Sequence, residues 1–209
     1  MINPQKPLRE ASLTVEVALA LHEGNDIMDC RFEGEELPCV GDNSLEFSGC
    51  RFEKCLFHTS EDEHLAFVDC IFEKCDLSGA DFEKGTFQKV AFRQCRMNGI
   101  EFSRATLMNT AFEECKMELS SFADCKLKYV GFTDCSMRES QFLSLQWQNW
   151  TLKDCNLIAS EFQTTSLKEL DLTACEIEGI VTELTALRGL VVTSIQAAQL
   201  AGLLGLVIK

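Results

Sequence analysis

Hydrophobic residues recur along this chain every five positions. Counting from Ile27, one phase holds Phe32, Leu37, Phe47, Phe52, Phe57, Phe67, Phe72, Leu77, Phe82 and Phe87, and it runs on at the same spacing to Leu172 and Ile177. All fifteen phenylalanines fall in it. Two positions earlier a second phase carries smaller residues, and eleven of the twelve cysteines, all but Cys39, sit there. The other three positions of each pentapeptide are mostly polar. A helix needs apolar spacings of three and four, and a simple amphipathic strand alternates by two, so neither template gives a period of five.

A second, longer period lies over the first. Cys55, Cys75, Cys95, Cys115, Cys135, Cys155 and Cys175 are spaced by twenty residues, as are Phe32, Phe52, Phe72, Phe92, Phe112 and Phe132. Four pentapeptides then make one coil, with equivalent residues stacked in ladders. The pattern predicts an all-β, four-sided parallel β-helix over residues 27–182, an N-terminal cap over 1–26, and a C-terminal cap and dimerisation segment over 183–209. The centres that fail, Asp42 and Asp62, are themselves twenty apart, which predicts a loop or bulge on one side around 41–44 and 60–64. Thr193 and Gln196 have capping-box spacing, predicting a short α-helix over 194–204 with Gly205 as its stop and a small strand at Leu206, Val207 and Ile208. Ile195, Ala198, Leu200, Leu203 and Leu204 make that helix apolar on more faces than one coil can cover, so a homodimer through the C-terminus is expected. A monomeric cap with the helix tucked in is the alternative.

Composition narrows the function classes. At 209 residues and 46% hydrophobic the chain has material for a core, and its net charge of −14 is the wrong sign for holding phosphate backbones, which argues against direct nucleic-acid binding. The apolar stretch Leu13–Leu21 is broken by Glu16 and lacks a cleavage site, and the run 197–208 is shorter than the ~20 residues that cross a bilayer. A cytoplasmic protein with no membrane partner and reduced thiols is the expectation. Coils ~4.8 Å apart bring cysteines within disulfide range, but parallel Cβ vectors are poorly set to bridge, so the thiols read as small buried hydrophobes. No cysteine or histidine spacing fits a metal, and His22, His58 and His64 hold unrelated places in the repeat; no catalytic residue, metal or cofactor is expected, and the chain is not read as an enzyme. Trp147 and Trp150 fall on the inward phases and read as core.

Acidic residues are distributed unevenly over the coil. The side holding 61–64, 81–84, 101–104, 121–124, 141–144 and 161–164 carries Glu61, Asp62, Glu63, Asp81, Glu83, Glu101, Asp124 and Glu161 against Lys84 and Arg104. The next side carries Asp69 and Glu169 against Lys89, Lys126, Lys128 and Lys168. One side is acidic and its neighbour weakly basic, and the acidic side is the candidate partner-binding surface.

Cys50-Arg51-Phe52-Glu53-Lys54, Cys75-Asp76-Leu77-Ser78-Gly79 and Ala80-Asp81-Phe82-Glu83-Lys84 resemble the A-[DN]-[LF]-x-x motif of the pentapeptide-repeat family. The resemblance covers roughly residues 27 to 182 and implies a right-handed quadrilateral β-helix. Within that family the Cys and Phe content, C-terminal helix and apolar tail are similar to the quinolone-resistance proteins of the Qnr and MfpA type, which dimerise tail to tail and protect type II topoisomerases by imitating duplex DNA. That likeness implies DNA gyrase or topoisomerase IV as partner and protection from fluoroquinolones. The chain departs from some of those proteins in having no long phase-breaking insertion. A tail-to-tail pair of ~37 Å rods, each charged −14, has about one net charge per ~2.7 Å against one per ~1.7 Å for duplex DNA. The reading from a different class is a structural or scaffolding solenoid with another protein partner, its acidity serving only solubility.

Overall fold

The computed structural model describes residues 8–38, 40–41, 43–59 and 64–206. The two inward phases lie inside and the three polar positions outside. In each pentapeptide a short extended segment turns its centre and the residue two before it to the same face, as strand alternation requires. The residue two after the centre then turns the corner. Every non-glycine residue with positive φ, from Asp29 through Lys54, Gln94, Leu119 and Thr164 to Glu169, occupies this corner position, with φ from 52° to 68°. The five-residue period is thus the length of one side plus one left-handed corner.

Four sides close a coil, and about seven turns form a right-handed quadrilateral parallel β-helix. Each coil is hydrogen-bonded to the one twenty residues on: Arg51 pairs with Ile71, Phe52 with Phe72, and Lys126–Thr133 lies in register against Gln146–Lys153. The four sides are named here in chain order: first (50–54 and equivalents), second (55–59), third (80–84) and fourth (65–69). Asp42 and 60–63, where a loop was expected, lie outside the described residues. Immediately after them Ser44–Ser48 pairs in parallel with His64–Val68, Ser44 facing His64 and Phe47 facing Phe67, so the register holds.

The core is a set of phenylalanine stacks. On the first side Phe92, Phe112 and Phe132 stack with centroids 4.9 and 4.5 Å apart; on the third, Phe102, Phe122 and Phe142 stack at 5.1 and 5.3 Å. The two columns meet edge to face, as at Phe112 and Phe122, the geometry that aromatic quadrupoles favour. The smaller inward phase has its own chemistry. Cys75 Sγ donates to the Phe52 carbonyl at 3.4 Å, Ser140 Oγ to that of Met117 at 2.8 Å, and Thr165 Oγ1 to that of Phe142 at 2.7 Å. A small side chain with a donor ties itself to the preceding coil, which accounts for cysteine, serine and threonine there. All eleven described cysteines are free and buried. Burial pushes the Cys125 thiol up to about 12, and burial and the neighbouring Cys50 push Cys30 to about 11. Both stay protonated at neutral pH.

Of the two tryptophans read as core, Trp150 is buried between Phe142 and Phe162. Trp147 is only partly buried, because its indole Nε1 reaches out of the ladder to donate to the Ser166 carbonyl at 2.7 Å. Gly85 marks another tight place: a Cβ there would lie 2.9 Å from the Phe82 carbonyl oxygen and 3.0 Å from the Phe87 ring.

Both ends are closed by helices. The strand Arg9–Glu10 pairs with Cys30 and Arg31, and helix α1, Leu13–Glu23, turns Leu13, Val17 and Ala20 onto the first coil. The Glu35 carboxylate accepts from the Leu13 N–H and the Ser12 hydroxyl, both at 2.9 Å, and so caps the helix from the coil beneath. At the other end the ladder runs past residue 182, to the bridge between Asp171 and Val191. Helix α2, Ser194–Leu200, starts in the expected capping box and continues as a 3-10 turn, Ala201–Leu204, ended by left-handed Gly205. Val207 and Ile208 lie outside the described residues.

Candidate partner-binding side

An outward charge on this scaffold has a fixed address, because ladder register places each residue beside those twenty before and after it. Asp81 bridges to Glu101, Glu101 to Ser121, Ser121 to Gln141, Gln141 to Glu161 and Glu161 to Val181. The structure therefore brings Asp81, Glu101 and Glu161 into one ladder on the third side, with Asp124 at that side's corner. Glu61, Asp62 and Glu63 lie outside the described residues. Glu183 lengthens the third side to the last turn; it was missed because the repeat was taken to end at 182. Its carboxylate accepts from the Thr164 N–H at 3.0 Å.

Local bonding sets how much of this charge is presented outward. Asp81 Oδ1 accepts from the Glu83 N–H at 2.8 Å and Glu101 Oε1 from the Ser103 N–H at 2.7 Å, so both carboxylates fold over their own turn. Burial, then the nearby Glu101 and Glu83, raise the Asp81 carboxyl above its ordinary range. Glu83 differs from the rest: Lys84 lies 3.1 Å away, and Arg104 contacts the same oxygen. Those cations hold its carboxyl below the usual range and cancel much of its field. Among the described residues, no cation lies within ion-pair distance of Asp81, Glu101, Asp124 or Glu161.

The first side contrasts with the third. Arg31 pairs with Glu10 and Glu53, Arg51 with Glu73, Lys54 with Glu33, and Arg93 with Glu113, each reaching across a coil. Its charges are largely spent on one another. On the fourth side Lys126 and Lys128 stand exposed with no carboxylate partner among the described residues, Lys128 lying 6.0 Å from the Tyr129 ring. Among the described residues the second side, with Glu35, Glu36, Asp76, Glu118, Glu139, Glu176 and Glu178 against Arg96, Lys116 and Arg138, is as acidic as the third, so net negative charge lies chiefly on these two adjacent sides rather than on the first or fourth.

At the C-terminal end, Ile195, Leu203 and Leu204 are exposed, Ile195 by 74% and Leu204 by 60%; Ala198 is also exposed, and Leu200 is half-buried against the core. A groove of about 300 Å³ between the helix and the last turn is lined by Leu184, Leu187, Val192, Ala197, Leu200 and Leu204. No group of three or more metal-type ligands occurs among the described residues, and none of their helices is long and apolar enough to cross a membrane.

No curated protein matches the chain. Among solved structures, QnrB1, described as a plasmid-mediated fluoroquinolone resistance protein, is 15% identical over 87% of this chain and 99% of its own, with a TM-score of 0.36. HetL, a pentapeptide repeat protein involved in heterocyst differentiation regulation from the cyanobacterium Nostoc sp. strain PCC 7120, is 12% identical over 81% of this chain and 94% of its own, with a TM-score of 0.25. Rfr23, a pentapeptide repeat protein from the cyanobacterium Cyanothece 51142, is 12% identical over 87% of this chain and 100% of its own, with a TM-score of 0.28. A family model described as a pentapeptide repeat region matches residues 45–118 and 86–162, more than half of the sequence. With five-residue sides and twenty-residue coils running through that whole stretch, the protein belongs to the pentapeptide-repeat family.

Proposed function

We propose that the protein is a DNA mimic that occupies the basic DNA-binding saddle of DNA gyrase or topoisomerase IV and protects the enzyme from fluoroquinolones, acting by binding and not by chemistry. The observation that carries the reading is the charge segregation: Asp81, Glu101, Asp124 and Glu161 share one side without cation partners among the described residues, while the first side cancels its own charges. Carboxylates on coils ~4.8 Å apart, at Asp81 and Glu101 and, beyond the uncharged rungs Ser121 and Gln141, at Glu161, with Asp124 at the corner, supply fixed negative charge along one side of the rod, which is what a phosphate-binding saddle recognises. Tail-to-tail pairing through Ile195, Ala198, Leu200, Leu203 and Leu204 would double the rod and cover the C-terminal groove. Supercoiling assays test the function: added protein should restore gyrase activity in the presence of a fluoroquinolone, and no effect with or without drug would remove the reading in favour of a scaffold. Sedimentation tests the pairing. Ile195→Glu with Leu204→Glu should turn a dimer into a folded monomer, and a parent protein that is monomeric at micromolar concentration contradicts it.

A further inference from the structure

Seven cysteines, from Cys55 to Cys175, stack at intervals of twenty residues on one inward ladder. Cys55, Cys75, Cys95, Cys115 and Cys135 each donate across the coil to a phenylalanine carbonyl. The last two rungs differ. Cys155 donates within its own coil, to the Lys153 carbonyl at 3.3 Å, and among the described residues neither it nor Cys175 makes the cross-coil bond. The two lie on adjacent rungs, the Glu176 N–H donating to the Cys155 carbonyl at 2.9 Å, and their thiols interact directly. Solvent also reaches this end of the ladder. A groove of about 490 Å³ is lined by Cys155 with Asp134, Asp154 and Glu176, and another of about 450 Å³ by Cys175 with Glu176, Glu178 and Gln196. Cys175 is the most exposed thiol of the ladder, and the surrounding carboxylates draw cations towards both grooves.

We propose that Cys155 and Cys175 chelate one soft, linearly coordinated divalent metal ion, of which the mercuric ion is the type. Parallel side chains on adjacent rungs are poorly set for a disulfide, whose sulfurs must close to ~2.0 Å. They suit an ion placed between the sulfurs: two metal–thiolate bonds of ~2.3 Å span ~4.6 Å, against ~4.8 Å between coils. Thiolates select soft ions. No group of three or more metal-type ligands occurs among the described residues, so zinc, which takes four ligands, is not held. Charge selects a divalent ion. The two thiols release their protons to water, two S–H bonds break, two Hg–S bonds form, and no oxidation state changes. The product is neutral and leaves no net charge in the buried ladder, whereas a monovalent ion would leave a negative one beside Asp154 and Glu176. The site is independent of the proposed function.

Native mass spectrometry of the full chain, given one equivalent of Hg(II) in millimolar glutathione, tests the site. The parent should keep one Hg(II) per chain with the loss of two protons, and zinc offered in the same way should not be kept. Alanine already fills this inward position at Ala80 and Ala105, so single Cys→Ala variants keep the fold. Cys155→Ala and Cys175→Ala should each weaken retention by about 100-fold or more, because the second bond of the chelate is intramolecular. Cys95→Ala, on the same ladder but away from the pair, should retain the ion like the parent. Release of the ion from the parent to glutathione overturns the proposal. So does parental retention in Cys155→Ala or Cys175→Ala, or an equal loss in Cys95→Ala.

Discussion

Replacing Gln196 with leucine should open the C-terminal end of the solenoid while leaving its middle closed. Gln196 is 7% exposed. Its Nε2 donates to the carbonyls of Leu172 at 2.7 Å and Cys175 at 2.8 Å, and its Oε1 accepts from the Thr193 N–H at 2.8 Å. The first two bonds stand in for the coil that does not follow, and the third closes the capping box. Leucine keeps the approximate volume and removes all three. At about 1 kcal/mol for each bond lost, the cap should loosen by about 3 kcal/mol, an increase of about 100-fold in its open population. Cys175 lies beside Thr193 and Gln196 and reports that opening. Labelling of individual thiols under native conditions, read by mass spectrometry, follows the open population when opening and closing are fast. Cys175 in the variant should label about 100-fold faster than in the parent, and Cys115, mid-solenoid, at the parental rate. An unchanged Cys175 rate refutes the keystone role; equal acceleration of Cys115 refutes the view that the cap opens by itself.

Two further substitutions probe the coil and the charged side. Gly85→Ala should destabilise by about 1–3 kcal/mol, seen as a lower denaturation midpoint, because the new methyl meets backbone oxygen and the Phe87 ring within 3.0 Å; an unchanged midpoint contradicts the tight packing described there. Asp81→Asn keeps an oxygen acceptor for the Glu83 N–H and removes the charge. Since the folded pKa of Asp81 is raised, the folded state binds more protons than the unfolded one between the two values, and stability falls as pH rises through that window and stays lower above it. The asparagine variant should therefore be more stable than the parent at pH 7, an advantage that disappears below the unfolded value of ~3.9. An equal or larger advantage at low pH contradicts the assignment.

Most of the architecture was legible because the inward positions keep one phase on both sides of Asp42 and Asp62: Phe52 and Cys55 mark the large and small inward positions as plainly as their equivalents two coils later. The capping box at Thr193 could be read for the same reason, as a short local motif. Helix α1 could not. Leu13, Val17 and Ala20 are spaced for a helix, but a stretch covering one coil end carries no five-residue signal and its apolarity looked like a failed export signal. Charge gave a face but not its strength. That Asp81 and Glu101 share a ladder follows from a spacing of twenty, whereas the cancelling of Glu83 by Lys84 and Arg104 depends on how long side chains reach across coils. Trp147 shows the limit of phase alone: its position is inward, but a reachable carbonyl on Ser166 draws the indole outward.

The central claim, that the third side imitates DNA, is tested most directly by equilibrium binding of the protein to purified gyrase over a range of salt, with and without saturating duplex DNA. The account predicts that affinity falls steeply with salt, that duplex DNA displaces the protein, and that reversing Asp81, Glu101, Asp124 and Glu161 abolishes binding while neutralising Lys126, Lys128 and Lys168 leaves it nearly intact. Undiminished binding in the presence of saturating DNA, or equal loss from the acidic and basic sets, would contradict it.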